Sequence, residues 1–206
     1  MAGDELLQTN SIQLDTSAET ILHIVEAIEP YDALEAEHKG EVIQWILSGA
    51  PLFRIAKPAD PPMHLVSYFV VFDEVRESLL LVDHVKAMMW LPTGGHVEPG
   101  EHPRTTVERE IIEELGIPAR FTTSFGSDPL FLTSTTTVGL TAGHTDVSLW
   151  YVVADKMDVV YQFDRSEFSS IAWFSFEDII SSAEGSIDSN LKRFVGKMLS
   201  NHVSVA

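Results

Sequence analysis

Three carboxylates in one short segment are the residues of this sequence best suited to chemistry. Glu110, Glu113 and Glu114 are spaced i, i+3 and i+4, so on an α-helix they share one face. At an effective dielectric near 20, two carboxylates about 6 Å apart repel each other by on the order of 2 to 3 kcal/mol. A hard divalent cation offsets this repulsion, and Mg²⁺ typically takes one or two carboxylates together with substrate phosphates. A bare cluster of this kind is also typical of a solvated acidic helix face.

The residues around the cluster distinguish these two interpretations. Gly95 is followed after five residues by Glu101 and, after seven more, by the sequence REIIEELGI from Arg109 to Ile117. This arrangement matches the Nudix box, GX₅EX₇REUXEEXGU, at every specified position. A chance match in a chain of this size has a probability on the order of 10⁻⁷. The chain therefore resembles the Nudix (MutT-like) hydrolases over roughly residues 63 to 180.

The resemblance assigns roles to the residues of the box. Four groups are implied to bind the metal, namely the backbone carbonyl of Gly94 and the carboxylates of Glu110, Glu113 and Glu114. Arg109 resembles the arginine that orients a box glutamate and so supports catalysis. Three further residues are implied to shape the site around the ligands: Gly95, Glu101 and Gly116.

The reaction implied by the resemblance is hydrolysis of a pyrophosphate bond. Mg²⁺, or Mn²⁺ in its place, would neutralise the diphosphate oxygens while a carboxylate activates the attacking water. Three residues are open as the general base, and the sequence does not choose among them: Glu110, Glu113 and Glu167. Glu167 lies six residues before Trp173, where MutT-like members carry a loop carboxylate, although a surface glutamate is about as common at such a position.

The substrate expected from the resemblance is a small nucleotide. Pyrophosphohydrolysis of a nucleoside triphosphate is our first expectation, because residues 172 to 178 resemble the closing strand of MutT-like members. Nucleoside diphosphate sugars and dinucleoside polyphosphates are the alternatives. A Nudix-fold binding module without catalysis is a further alternative, but the complete carboxylate set favours an enzyme.

Side chains outside the box are weaker candidates for substrate binding. His84 and Lys86 precede the glycine turn and could contact phosphate, although surface positions are commoner for both types. Trp90 could stack on a base, although an aromatic residue in a β-rich run is more often part of the core. Eight histidines are present, but they show no paired spacing of the kind typical of zinc sites.

Composition limits the possible partners. The 13 Lys and Arg against 31 Asp and Glu give 13 − 31 = −18, a charge that disfavours binding to a nucleic-acid polymer. The absence of cysteine excludes disulfides and thiolate chemistry. No signal peptide or membrane-spanning apolar stretch is present, which favours a cytoplasmic protein without membrane contact.

The elements that must position the box follow from periodicity and chain breakers. Residues 18 to 48 predict two helices, and the Pro-rich segment 57–62 marks a boundary. Short β-rich runs begin at Met63, and a helix is predicted from about Pro103 to Leu115. We therefore predict an α+β fold with mixed α/β layers, an α/β/α sandwich of the Nudix type over residues 61–206. Residues 1–60 would form a helical extension that caps the domain or mediates a homodimer.

Overall fold

The computed structural model describes residues 14–57, 59–137 and 143–203. The first 13 residues of the predicted extension, and Pro58 within the predicted boundary, therefore lie outside the described residues. The helices of the described part are α1 (Thr16–Ala27), α2 (Ala33–Leu47), α3 (Pro103–Leu115), α4 (Phe176–Ser181) and α5 (Ser189–Val203). The strands are β1 (Met63–Asp73), β2 (Ser78–His84), β3 (Met89–Leu91), β4 (Thr93–His96), β5 (Phe131–Thr136), β6 (Thr145–Ala154) and β7 (Phe168–Ser175).

The strands form one mixed sheet built around β1. The order is β3-β2-β1-β6-β5, with β4 paired to β1 and β7 paired to β2. β1 runs parallel to β6 along ten residue pairs and antiparallel to β2 and β4 on its other edge. The first half of β1 meets β4, and its last residues meet β2. The long strand β1 therefore pairs with the glycine-containing strand β4 on one edge and with β6 on the other.

The two faces of the sheet bury two separate hydrophobic layers. In β6, Val147, Leu149 and Tyr151 belong to one layer, whereas Trp150 and Val152 belong to the other. This alternation is the period of two expected for a strand buried on both faces. Helices α1, α2 and α3 cover the first face, and α4 and α5 cover the second. The predicted α+β fold with an α/β/α sandwich is confirmed. No described helix is long and apolar enough to cross a membrane.

Helix α3 begins and ends where its sequence signals predict. His102 caps the start by accepting a hydrogen bond from the backbone N–H of Arg104, and Pro103 occupies the first turn. Gly116 ends the helix with φ of 70°, in the left-handed region that glycine adopts without strain. Val107, Ile111 and Leu115 are fully buried in the first layer. Glu110, Glu113 and Glu114 lie on the adjoining face of the helix.

Two sequence expectations about strands differ from the structure. The β-rich run at residues 120 to 125 predicts a strand, but these residues form only isolated bridges, Phe121 with Val153 and Thr122 with Gly126. Residues 92 to 95 predict a Gly-rich turn, yet residues 93 to 96 form β4. Glycine weakens a strand. We therefore attribute β4 to the close approach of its glycines to Ser67 and Tyr68 of β1, and not to a β-propensity of the segment itself.

Helix α2 is joined to the rest of the molecule through the buried carboxylate of Glu35. This side chain is 0% exposed and accepts hydrogen bonds from the backbone N–H of Tyr31 (2.7 Å) and of Leu132 in β5 (3.0 Å). Lys197 of α5, itself 4% exposed, donates from Nζ at 2.8 Å. The division at residues 60 and 61 stays a prediction, because residues of α1 and α2 share the first hydrophobic layer with the sheet.

Glu35→Ala tests how strongly the two helices are coupled to the sheet. The change would leave the Lys197 ammonium and the Leu132 N–H buried without their acceptor, which costs about 3 to 5 kcal/mol of unfolding free energy. Glu37→Ala, at an exposed position of the same helix, is the matched control and should cost less than about 0.5 kcal/mol. Urea denaturation followed by circular dichroism measures both. A separate early transition in Glu35→Ala, with an unchanged main transition, would show that the helices are an independent unit.

Candidate active site

The guanidinium of Arg109 lies at the centre of a carboxylate network. It donates to both oxygens of Glu101, from Nε and from Nη2, each at 3.1 Å. Nη1 donates to Glu110 at 2.6 Å and lies 3.5 Å from a carboxylate oxygen of Glu113. Nη2 also donates to the backbone carbonyl of His96 at 3.2 Å. Arg109 therefore fixes the positions of two box glutamates, as the resemblance implies, and attaches β4 to α3.

Glu101 is held by more than its pair with Arg109. One oxygen also accepts from the Thr106 hydroxyl at 2.8 Å and from the backbone N–H of Glu98 at 3.1 Å. Burial favours the neutral acid, but these bonds and Arg109 outweigh it and lower the pKa of Glu101. Glu101 therefore stays ionised and positions Arg109.

The glycine pair of β4 allows the box glutamates to approach the sheet. A Cβ atom at Gly95 would overlap the carboxylate of Glu110. A Cβ atom at Gly94 would overlap the Ser67 carbonyl oxygen, and its φ of 152° disfavours other residues. The backbone N–H of Gly94 donates to Glu114 at 3.1 Å. The glycines thus provide the space in which Glu110 and Glu114 lie.

The electrostatics of the helix face differ from those of a solvated acidic surface. Burial, followed by repulsion from Glu110, raises the pKa of Glu114 to about 8. Burial also raises the pKa of Glu110, although Arg109 opposes the change. Glu113 differs, since its side chain is 58% exposed. Two carboxylates are therefore held in a place that disfavours their negative charge, as expected of groups that bind a cation.

A cleft of about 1110 Å³ lies over this face of α3. Glu110, Glu114, Gly94 and Gly95 line it. On the other side, the exposed side chain of Glu167 also lines the cleft, so that loop carboxylate shares the cavity with the box. The cleft thus brings together two predicted metal ligands of the box, Glu110 and Glu114, and Glu167, the one candidate general base that lies outside the box.

The predicted substrate-binding residues divide into two groups. His84 and Lys86 line the cleft. Trp90 does not line it and packs edge-on against Phe174 at a centroid distance of 5.0 Å. The reason is the alternation of β3, in which Met89 and Leu91 face the cleft and the residue between them faces away.

Sequence reasoning missed several residues of the cleft. Arg54 and Lys57 line it, although they belong to the segment predicted as a separate extension. His96, His144 and Asp146 also line it, and burial lowers the pKa of His96 to about 4, which keeps this imidazole neutral. Their positions in the sequence carry no local pattern, because strand pairing brings them together: β4 and β6 lie on opposite edges of β1.

The residues present fit the divalent metal that the box implies. The buried carboxylates of Glu110 and Glu114 supply hard oxygen donors, and Glu113 adjoins them through Arg109. Mg²⁺ and Mn²⁺ prefer such ligands. The carbonyl of Gly94 remains a predicted ligand.

Comparisons with known proteins agree with this geometry. The family model of the NUDIX domain matches residues 62–195. This chain belongs to the Nudix family. The box and the fold around it are thereby confirmed, as is the prediction that the protein is a Nudix pyrophosphohydrolase.

Solved structures show the same fold at low identity. The Nudix fold is shared with an Ap4A hydrolase binary complex from C. elegans, at 19% identity and a TM-score of 0.53, over 68% of this chain and 98% of that one. A MutT Nudix hydrolase from Burkholderia pseudomallei matches at 18% identity and a TM-score of 0.52, over 66% and 97%. The E. coli dihydroneopterin triphosphate pyrophosphohydrolase matches at 13% identity and a TM-score of 0.50, over 70% and 94%. A search of curated proteins finds no match.

The raised pKa of Glu114 predicts a pH dependence of stability in the metal-free Nudix protein. The folded-state pKa, about 8, lies above the ordinary value of 4.5. Below pH 4.5 the carboxyl is protonated in both states and has no effect. Between the two values the unfolded chain binds fewer protons than the native one, so stability falls as pH rises.

Glu114→Gln should remove this part of the pH dependence. In chelator, we expect it to melt at least about 3 °C above wild type near pH 9 and at nearly the same temperature near pH 4. Glu108→Gln, at an exposed position of the same helix, should keep the wild-type profile. Scanning calorimetry across this range makes the measurement, and parallel profiles for wild type and Glu114→Gln would contradict the assignment.

Proposed function

We propose that this Nudix protein hydrolyses a pyrophosphate bond in a nucleotide-type substrate, with Mg²⁺ as cofactor and a nucleoside triphosphate as the leading substrate. The observation that carries the proposal is the convergence of Glu110 and Glu114 on one cleft, beside a guanidinium that orients Glu110. Mn²⁺ would serve in place of Mg²⁺.

Cationic side chains in the same cleft as the carboxylates support an anionic substrate. Arg54, Lys57 and Lys86 line the cleft and come from segments outside the box. The chain as a whole carries a formal charge of −18, so positive groups in this one cavity offset a field that otherwise repels phosphates. These three cations fit a substrate with several phosphates better than a substrate with a single phosphate.

Each group of the site has a separate role in the proposed reaction. The bound metal would neutralise charge on the diphosphate oxygens as water attacks phosphorus and the bridging P–O bond breaks. Arg109 holds Glu110 through a hydrogen bond and lies 3.5 Å from Glu113, and these two carboxylates would bind that metal. Glu110, Glu113 or Glu167 accepts the proton of the attacking water, and all three stay candidates for this role.

The size of the cleft favours a second candidate substrate class. At about 1110 Å³, it exceeds the roughly 300 to 1,000 Å³ typical of small-molecule sites. A dinucleoside polyphosphate would use this additional volume for its second nucleoside. A nucleoside diphosphate sugar is intermediate in size and is the remaining alternative.

Turnover of a nucleotide panel tests the proposal and separates these substrates. Nucleoside triphosphates, nucleoside diphosphate sugars and dinucleoside polyphosphates are each incubated with Mg²⁺, and the products are separated by chromatography. Excess chelator should abolish turnover, and Mg²⁺ or Mn²⁺ should restore it without any requirement for Zn²⁺. Full turnover in chelator would remove the metal from the mechanism. No turnover of any compound would favour a binding module.

Substitution of the glutamates one at a time ranks their roles. Glu110→Gln, Glu113→Gln and Glu114→Gln keep the shape of the side chain but remove a negative charge near the metal. We expect kcat to fall by at least about 100-fold in each, because the lost charge stabilises the transition state through the metal.

Two further variants complete the series. Glu108 is exposed and 3.9 Å from Arg104, so Glu108→Gln should change kcat by less than about twofold. The kcat of Glu167→Gln should lie between that of Glu108→Gln and those of the three box variants if this carboxylate takes part in catalysis. Equal losses in Glu108→Gln and Glu114→Gln, at unchanged melting temperature, would show that this helix face is not the active site.

A further inference from the structure

A second group of metal-ligating side chains lies in the same cleft, apart from the box. His64 and Asp146 are directly paired neighbours on the parallel strands β1 and β6. His144 immediately precedes β6. One ligand atom from each of these three residues lies within 4.8 Å of the other two. His64 is fully buried, and His144 and Asp146 line the cleft.

The proton on His64 can be assigned from its partners. Nδ1 lies 2.9 Å from the backbone carbonyl oxygen of Pro61. A carbonyl oxygen only accepts, so Nδ1 carries the hydrogen and donates it. In the neutral ring, Nε2 then presents a lone pair. That atom is buried, makes no hydrogen bond and lies 3.3 Å from a carboxylate oxygen of Asp146.

His144 faces the same carboxylate. Its Nδ1 lies 3.1 Å from the Thr137 hydroxyl, which also lies 3.2 Å from the backbone carbonyl oxygen of His144. Its Nε2 lies 3.4 Å from the same oxygen of Asp146.

Two imidazole Nε2 atoms thus face one carboxylate oxygen, and the one on His64 carries a lone pair in the neutral ring. A lone pair and a carboxylate oxygen repel each other unless a cation lies between them. A proton on His64 Nε2 fits poorly, because the 3.3 Å contact to Asp146 lacks hydrogen-bond geometry. Close ligand atoms that are not hydrogen-bonded are what a shared metal produces. Metal-binding histidines also commonly donate their other N–H to a backbone carbonyl or polar side chain.

We propose that His64, His144 and Asp146 bind a divalent transition metal, with zinc as the best fit, in addition to the metal of the Nudix box. Two nitrogen ligands and one oxygen suit zinc, whereas Mg²⁺ prefers oxygen alone. Three protein ligands leave a fourth position for water or a substrate oxygen, as in catalytic zinc sites.

Two of the three ligand spacings match a tetrahedral site. With metal–ligand distances of about 2.05 Å, a tetrahedral site separates its ligand atoms by about 3.3 to 3.4 Å, and an octahedral site separates adjacent ligands by about 2.9 Å. The distances from Asp146 to His64 and His144 are 3.3 and 3.4 Å. The ligand atoms of the two histidines lie within 4.8 Å of each other, so a bound ion would draw them together. His64 also contacts the ring of His96, at a centroid distance of 4.8 Å, which encloses the site on that side.

Metal titration of the full chain tests the proposal without reference to turnover. Protein freed of metal is titrated with Co²⁺ or Zn²⁺ in excess Mg²⁺, which keeps the box carboxylates occupied by the harder ion. We expect one equivalent to bind, and Co²⁺ to give the intense visible absorption of a tetrahedral site. His144→Gln and Asp146→Asn should each weaken binding by at least about 100-fold, and Thr137→Val by about 10-fold.

Matched controls separate this site from the box. His23→Gln, at an exposed position of α1, and Glu114→Gln, in the box, should both keep the Co²⁺ spectrum and stoichiometry. No stoichiometric binding, or binding unchanged in both His144→Gln and Asp146→Asn, would overturn the proposal. Neither result would affect the proposed pyrophosphohydrolysis, which rests on the box glutamates.

X-ray absorption of the zinc-loaded wild type makes the test independent of whether the variants fold. Imidazole scattering with nitrogen and oxygen neighbours at about 2.0 to 2.1 Å is expected. An oxygen-only shell would overturn the assignment.

Discussion

Arg109 holds together a set of groups that would otherwise repel one another. Its planar guanidinium forms a bidentate pair with Glu101 and reaches Glu110, Glu113 and the carbonyl of His96. Lysine could not replace these contacts, because an ammonium group lacks the fixed fork of donors. The position of α3 against β4, and therefore the shape of the candidate site, depends on this one side chain. Burial of Glu110 costs less because the opposite charge of Arg109 is already in place, whereas burial and repulsion from Glu110 raise the pKa of Glu114 to about 8.

The segment before the Nudix box contributes to both stability and the site. Helices α1 and α2 share a hydrophobic layer with the sheet, and Glu35 connects α2 to β5 and α5. Arg54 and Lys57 then extend from this segment into the cleft. A region without any motif thus supplies cations to a cavity whose chemistry comes from the box. Changes in this segment can alter substrate preference while the carboxylates stay the same.

Local sequence signals predicted the parts of the structure that local physics controls. Pro103 and Gly116 set the ends of α3, and the apolar spacing between them set its buried face. The side to which Trp90 points depends on the register of β3, which the sequence leaves undetermined. His64 and Asp146 are 82 residues apart in the chain yet adjacent in the sheet, and only the pairing of β1 with β6 reveals it. A search for the short ligand spacings typical of zinc sites therefore could not identify His64 and Asp146 as neighbours.

His96 is in contact with both candidate metal sites. Its carbonyl accepts from Arg109, which orients the box glutamates, and its ring lies against His64. If binding at one site displaced β4, the displacement would reach the other site through His96. Thermodynamic reciprocity would then require that each ion change the affinity for the other by the same factor. Cooperativity between a hard and a softer metal would arise within one chain, from a single residue that touches both.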